Sequence, residues 1–188
     1  MVSFSGSTSS LASGSPAIAA SALEANLDFS NTSSTITVTI TFLNTPVTGV
    51  SFSLYDIDAD RKGNSSNFAY QDLLSGISAT GEKGSVTPVV TVGSSVSYNN
   101  GVAQGEDTVA PGSSAGDVNI TFTNEISSIQ FTYGSSGNIA GNNPDAQEFG
   151  ISKVSFRKVP EVGVAPIAAG LCAAFALLKA PLRRLFRR

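Results

Sequence analysis

The stretch 35–42, TITVTITF, carries the clearest structural signal in this chain. Its four apolar residues, Ile36, Val38, Ile40 and Phe42, alternate with four threonines. Successive side chains of a β-strand point to opposite faces of the sheet, so the apolar residues share one face and the threonines share the other. The pattern therefore predicts an antiparallel strand with one face in the core and one polar face in water.

The same alternation recurs through residues 25–157. It is found in 47–55, 118–122, 129–133 and 151–156, with less regular runs at 85–92 and 94–102. Segments rich in Gly, Asn and Pro separate these runs and are typical of turns. The sequence therefore predicts eight or nine short strands arranged as an antiparallel β-sandwich or jelly roll. Residues 1–24 are rich in Ser and Ala, and we expect either a ragged first strand (VSFSG) plus a loop, or disorder.

The alternation also predicts which side chains form the core. The expected buried residues are Ile36, Val38, Ile40, Phe42, Phe52, Leu54, Ile120, Phe122, Ile129, Phe131 and Phe156.

The composition excludes several classes of chemistry. The chain has no His and one Cys, which removes Ser-His-Asp and Cys-His catalysis, His-ligated zinc and any internal disulfide. Its pI near 4.8 argues against a nucleic-acid partner.

The densest group of acidic residues is DIDAD at 56–60, directly after a predicted strand. If the strand continued, Asp56 and Asp58 would face the same side and their carboxylates could converge. With Asp72 and carbonyl groups from the loop 63–67, they would suit Ca²⁺, which binds six to eight oxygens in flexible geometry. We expect a structural calcium site at Asp56, Asp58 and Asp72, and the alternative is a solvated acidic turn.

A carboxylate-based polysaccharide hydrolase is the enzymatic alternative. The available acids are Asp56, Asp58, Asp72, Glu106 and Asp107, and their spacing selects no pair. Trp, the usual sugar-stacking residue, is absent, so only the four Tyr residues (Tyr55, Tyr70, Tyr98 and Tyr133) could form a sugar platform. We expect no catalytic residues and no enzyme activity.

The C-terminal region differs in kind from the rest. Residues 1–160 carry 13 acidic and 6 basic side chains, whereas the 17 residues from 162 to 178 carry no charge. Five bases follow: Lys179, Arg183, Arg184, Arg187 and Arg188. A helix over 162–182 would cross a bilayer, and the positive-inside rule places the basic tail 183–188 in the cytoplasm and the sandwich outside. The first residues show no basic and apolar secretory leader, so we expect that the start codon lies further upstream or that the chain is a fragment.

The segment 159–162, VPEV, followed by this apolar run and the Arg cluster, resembles the sorting signal of PEP-CTERM proteins. The match covers 158–188, and Val162 stands at the family's second proline. The resemblance implies sorting through Val159, Pro160 and Glu161, with Arg183, Arg184, Arg187 and Arg188 as the cytoplasmic anchor. It also implies cleavage by an exosortase-type enzyme and transfer to the cell surface or the exopolysaccharide matrix.

The body resembles jelly-roll-like extracellular domains in segments such as SFSLYDIDAD at 51–60 and VNITFTNEISSIQFTYG at 118–134. Three hypotheses follow. The first is a non-enzymatic, membrane-tethered surface or matrix protein. The second is a carbohydrate-binding module with a calcium-stabilised loop edge, and the third is the hydrolase.

Overall fold

The computed structural model describes residues 1–19, 22–43, 46–61, 67–110 and 112–160. These residues form fifteen β-strands, two single turns of 3₁₀-helix (Thr8–Ser10 and Ser114–Gly116) and no α-helix. The strands are β1 Val2–Gly6, β2 Ala17–Ala19, β3 Ala22–Leu27, β4 Thr35–Thr41, β5 Val47–Tyr55, β6 Ala59–Arg61, β7 Phe68–Gly81, β8 Gly84–Val86, β9 Val89–Val92, β10 Val96–Asn99, β11 Val102–Gly105, β12 Val118–Phe122, β13 Ser128–Ser135, β14 Gln147–Ile151 and β15 Ser155–Lys158.

The strands form two antiparallel sheets. The eight-stranded sheet has the order β1-β4-β13-β7-β11-β10, and β6 and β8 also pair with β7. The seven-stranded sheet has the order β2-β3-β14-β5-β12-β9, and β15 also pairs with β5. One cluster of buried side chains includes residues from both sheets, such as Val38 and Phe131 from the first and Phe52 and Ile120 from the second. The sheets therefore face each other across a shared core, and the predicted all-β sandwich is confirmed.

The alternating strands lie where the sequence predicted them. β4 runs over Thr35–Thr41 and β5 over Val47–Tyr55, and nine of the eleven predicted core residues are buried. Two are not. Phe42 is only partly buried, and Phe156 is 46% exposed, so the prediction of a buried Phe156 is wrong.

The reason lies in the path of the last strands. The sequence predicted one strand over 151–156, but β14 ends at Ile151 and β15 begins at Ser155. Both pair with β5, and the pairing of β15 shifts register between Ser155 and Arg157. Phe156 lies at this irregularity and packs edge-on against Phe42, with the ring centroids 5.2 Å apart.

Several other elements differ from the prediction. The runs 85–92 and 94–102 are each two strands. In the N-terminal segment the expected first strand at VSFSG is confirmed as β1, but β2 and the start of β3 replace the expected loop. The longest strand, β7, was not predicted. Gly76 adopts a positive φ of 62° where β7 pairs irregularly with β13 around Phe131. Such a bulge reverses which residues face the core, so Leu74 is buried before it and Ile77 and Ala79 after it. The two-residue period is lost at that point.

The predicted sorting motif is described only as far as Val159 and Pro160. Glu161, the helix 162–182 and the basic tail 183–188 lie outside the described residues. Within the described residues, no helix has the length and apolar character that a membrane crossing requires.

Candidate functional site

The predicted acidic site lies where the chain leaves β5. The strand ends at Tyr55, and Asp56 takes a left-handed conformation with a φ of 65°. Strand alternation therefore stops before DIDAD, and the reasoning that Asp56 and Asp58 share one face does not hold. The Asp56 side chain lines an open cleft on the seven-stranded sheet, whereas Asp58 is only 5% exposed and turns into the interior.

Asp72 is fully buried and accepts three hydrogen bonds. The Tyr133 hydroxyl and the Gln147 side-chain amide each donate to Oδ1 at 2.6 Å. The Asp58 backbone N–H donates to Oδ2 at 3.1 Å. Because Tyr133 lies in one sheet and Gln147 in the other, the Asp72 carboxyl links the two sheets through the core.

Both carboxyl oxygens of Asp58 also accept hydrogen bonds from the fold. The Tyr70 hydroxyl donates to Oδ1 at 2.9 Å and the Val109 backbone N–H donates to Oδ2 at 3.0 Å. The Asp72 backbone N–H also donates to the Asp58 carbonyl at 2.9 Å. Gly105 lies so close that an added Cβ would collide with the Asp58 backbone. The structure thus brings Asp58 and Asp72 together as predicted, but both carboxyls are bonded to groups of the fold itself.

The environment raises the pKa of both carboxyls. Burial raises the pKa of Asp72 well above its ordinary value, against the hydrogen bonds that favour its ionised form. Burial also raises the pKa of Asp58, partly offset by the bonds from Val109 and Tyr70. Tyr133, in turn, has its pKa raised by its own burial and by the neighbouring Asp72.

The described residues contain no group of three or more His, Cys, Asp or Glu side chains arranged to hold a metal ion. Residues 63–66 of the loop 63–67, which was expected to supply carbonyl ligands, lie outside the described residues. Two of the expected ligands, Asp58 and Asp72, already have both carboxyl oxygens in hydrogen bonds.

The cleft that Asp56 lines has a volume of about 580 Å³ and opens on the outer face of the seven-stranded sheet. Its base is formed by three neighbouring strands, because Gly150 of β14 pairs with Tyr55 of β5 on one side and Glu24 of β3 on the other. The Tyr55 ring lies directly over Gly150, where any Cβ would overlap it. This lets the Tyr55 hydroxyl reach Glu24 Oε1 at 3.3 Å. Other lining residues are Ala22, Ser53, Gly112, Ser113, Ser114, Asp117, Ser152 and Lys153.

The cleft is acidic. Burial, and then repulsion from Asp58, Glu148 and Glu24, raises the pKa of Asp56 to about 6. Burial also raises the pKa of Asp117 and of Glu148. The pKa of Tyr55 rises to about 12, first through burial and then through the adjacent Glu24. Among the described residues, three acids, Glu24, Asp56 and Asp117, line the cleft together with one base, Lys153.

The remaining acids weighed for catalysis serve local roles. Glu106 accepts a hydrogen bond from the Ser97 hydroxyl at 2.6 Å. Asp107 accepts one from the Thr108 backbone N–H at 2.9 Å. Neither lines the cleft that contains Asp56.

Sequence reasoning missed most of the partners that define these two places. Tyr133 and Gln147 are 61 and 75 residues from Asp72 along the chain, and no local pattern connects them. Glu24 lies in a segment expected to be a loop or disordered. Of the four tyrosines considered as a platform, Tyr55 lines the cleft, whereas Tyr70 and Tyr133 are bonded to Asp58 and Asp72.

Comparison of the sequence with protein-family models and with curated proteins, and of the structure with solved structures, found no match.

Proposed function

We propose that this chain is an exported, jelly-roll-like surface or matrix domain, tethered to a membrane by its C-terminal segment and sorted through it. The supporting observation is the order of sequence features after β15. The residues VPE at 159–161 come first, then 17 uncharged residues, then the Arg cluster. This order is the one expected of a single membrane anchor with a cytoplasmic basic end. Cleavage by an exosortase-type enzyme would release the domain to the cell surface or the exopolysaccharide matrix.

Membrane fractionation tests the tether. Each Arg at the centre of a spanning helix costs about 2.5–3.5 kcal/mol of insertion free energy. The double variant Leu171→Arg/Phe175→Arg should therefore leave the membrane fraction. A matched control, Ser9→Arg/Ser13→Arg, places the same charges at two exposed positions of the domain and should stay with the membrane. Equal distribution of both variants would contradict the tether.

We propose further that the domain acts without catalysing a reaction. Asp58 and Asp72 are the two most buried carboxyls, and their hydrogen bonds to Tyr70, Val109, Tyr133 and Gln147 join parts of the fold. These bonds hold both carboxyls as structural links within the fold. Turnover of a polysaccharide by the purified protein, lost on replacing one carboxylate, would overturn this proposal.

A second candidate function is carbohydrate binding at the cleft. It is favoured by the Tyr55 ring, which lies over Gly150 and lines the cleft together with Glu24 and Asp56. An aromatic face beside carboxylates can stack on a sugar ring and bind its hydroxyl groups. A glycan array probed with the wild type and Tyr55→Ala tests this directly, and binding should be lost in the variant. Tyr55→Phe keeps the ring and is the control, with most binding retained.

The calcium ion expected at Asp56, Asp58 and Asp72 remains a proposal. Binding to the folded state alone would stabilise it by about 2.7 kcal/mol at a hundredfold excess over Kd. The melting temperature should then rise with millimolar calcium and fall with a chelator. Equal melting temperatures would leave the hydrogen-bonded pair Asp58 and Asp72 as a purely structural feature.

A further inference from the structure

One end of the sandwich is where the described chain stops. At this end β4 finishes, β5 begins and β15 finishes: Lys158 pairs with Val47, and the Val159 N–H donates to the Pro46 carbonyl at 3.4 Å. Phe42, which follows β4, lies at the same end: its N–H donates to the Ser127 carbonyl at 2.9 Å, and the neighbouring Ile126 carbonyl accepts from the Val47 N–H. We call this region, formed by residues 41–43, 46–48 and 155–160, the exit end.

The exit end collects exposed apolar side chains. Leu43 is 62% exposed and Phe156 is 46% exposed, and Phe156 packs on the partly buried Phe42. Met1 and Val2, also exposed, lie beside the end of β4, where Val2 pairs with Ile40. Two other large apolar residues of the described chain are exposed, both on edge strands. Ile18 on β2 is level with Leu54, towards the other end of β5, whereas Val89 on β9 is level with Ser51, the residue that pairs with Ser155.

Positive charge is concentrated at the same end. Arg157 and Lys158 are both exposed on β15. They are two of only six bases among residues 1–160, against 13 acids. Two acids, Glu82 and Glu125, and one base, Lys83, lie at the neighbouring turns, where Gly81 approaches the Glu125 carbonyl and Ile126 forms a bridge with Val47. The cleft acids Glu24 and Asp56 lie towards the other end of β5. An anionic surface would therefore repel most of the domain and attract β15.

The length of the connection sets the distance to the bilayer. Only three residues separate Lys158 from Val162, where the uncharged run begins. Four extended residue steps reach at most about 14 Å. The polar headgroup layer on one side of a bilayer is roughly 5–8 Å thick. A domain tethered through this run has its exit end at the headgroups.

We infer that the exit end rests on an anionic membrane surface, with Leu43 and Phe156 among the headgroups and Arg157 and Lys158 against lipid phosphates. This inference rests on the proposed membrane tether. It adds a fixed orientation: the cleft, which lies towards the other end of β5, is held away from the membrane and stays open to an extracellular ligand.

The chain has no Trp, so a single introduced Trp reports on its own surroundings. The experiment uses full-length Phe156→Trp reconstituted into vesicles of phosphatidylcholine, with or without phosphatidylglycerol, that carry a headgroup-level lipid quencher. Leu43→Trp is a second reporter at the same end. Ile18→Trp is the control, because it is exposed but lies on the edge strand β2. We expect a blue shift and strong quenching for Trp at 156 and 43 in the anionic vesicles, and neither for Trp at 18.

The contribution of Arg157 and Lys158 to membrane docking is measured by adding the substitutions Arg157→Gln and Lys158→Gln to the Phe156→Trp reporter. Each base near an anionic surface strengthens binding roughly fivefold, so the double variant should shift the docked-to-undocked ratio about twenty-five-fold towards the undocked state. High salt should have the same effect on the parent reporter, and Lys153→Gln, which removes a base that lines the cleft, should change the ratio far less.

The outcomes separate the two proposals. In one outcome, the chain co-floats with both vesicle types while the fluorescence of Trp at 156 and 43 shows no more blue shift or quenching than that of Trp at 18. That result overturns the docked orientation and leaves the tether intact. A chain that floats with neither vesicle type overturns the tether and the docked orientation with it.

Discussion

At the scale of single residues, Asp56 is the most informative position. It is half-buried in the cleft, and burial with repulsion from Asp58, Glu148 and Glu24 raises its pKa from 3.8 to about 6. When the pKa of a carboxyl is higher in the folded protein than in the unfolded chain, its protonation favours folding. This contribution is complete at a pH below the pKa of the unfolded chain and is lost as the pH rises from about 4 to 6. At neutral pH the ionised Asp56 therefore destabilises the domain.

The variant Asp56→Asn should consequently be more stable than the wild type at pH 7. The gain should be about 1 kcal/mol after allowance for the solvent that reaches this half-buried group, and it should shrink as the pH falls from 6 towards 4. Asn also tolerates the left-handed conformation at this position. Urea unfolding at pH 4.5 and pH 7 measures the effect. Asp145→Asn, at an exposed position, is the control and should change stability by less than about 0.5 kcal/mol.

Asp72→Asn should have the opposite effect. Three donors point at the two carboxyl oxygens, from Tyr133, Gln147 and the Asp58 backbone. An amide offers only one acceptor oxygen, so one buried N–H or the new amide group must lose its partner. The expected loss of unfolding free energy is about 1–3 kcal/mol. Thermal melts at pH 7 check this, and a variant as stable as the wild type would show that the network contributes little.

At this scale the sequence identified the acids but not their environment. It placed Asp58 and Asp72 together, and two hydrogen bonds join them: the Asp58 backbone N–H donates to the Asp72 carboxyl, and the Asp72 backbone N–H donates to the Asp58 carbonyl. It did not separate Asp56 from Asp58, because the left-handed turn at Asp56 leaves no local pattern in DIDAD. It could not find Gly150, since the contact with Tyr55 exists only after β14 pairs with β5.

At the scale of strands, regular alternation was a reliable guide and its interruptions were not. β4, β12 and β13 keep one apolar face throughout, and β5 does so from Val50 to Leu54, so their positions could be read from the sequence. At the start of β5 the inward face changes at Gly49, which has a positive φ of 60°, and Val47 is buried as well. β7 reverses its inward face at the Gly76 bulge, and it also buries the polar Gln71 and Asp72, which find partners only in the folded sheet. The strand expected over 151–156 failed because its backbone pairing with β5 is broken between Ile151 and Ser155.

The alternation in β12 gives a direct test of packing. Phe122 is fully buried, whereas its neighbour Thr121 lies on the outer face. Phe122→Ala should reduce the free energy of unfolding by about 3–5 kcal/mol through lost burial and the cavity left behind. Thr121→Ala is the matched control and should change it by less than about 0.5 kcal/mol. Chemical denaturation of the two variants compares them, and similar losses would contradict the facing assigned to β12.

At the scale of the whole molecule, charge is divided between an acidic domain and a basic C-terminus. Residues 1–160 carry 13 acids and 6 bases, and five further bases follow Leu178. The proposed sorting cleavage would separate these parts. The released domain would keep its acidic cleft and lose the apolar run together with all five tail bases.

The measurement that tests this account most directly is the intact mass of the protein recovered from the cell-surface or matrix fraction. Cleavage near VPE predicts a species that ends between residues 159 and 163. Such a species would have kept the last described strand, β15, and lost the uncharged run that would have anchored it. A full-length chain found only in the cytosol would contradict the account.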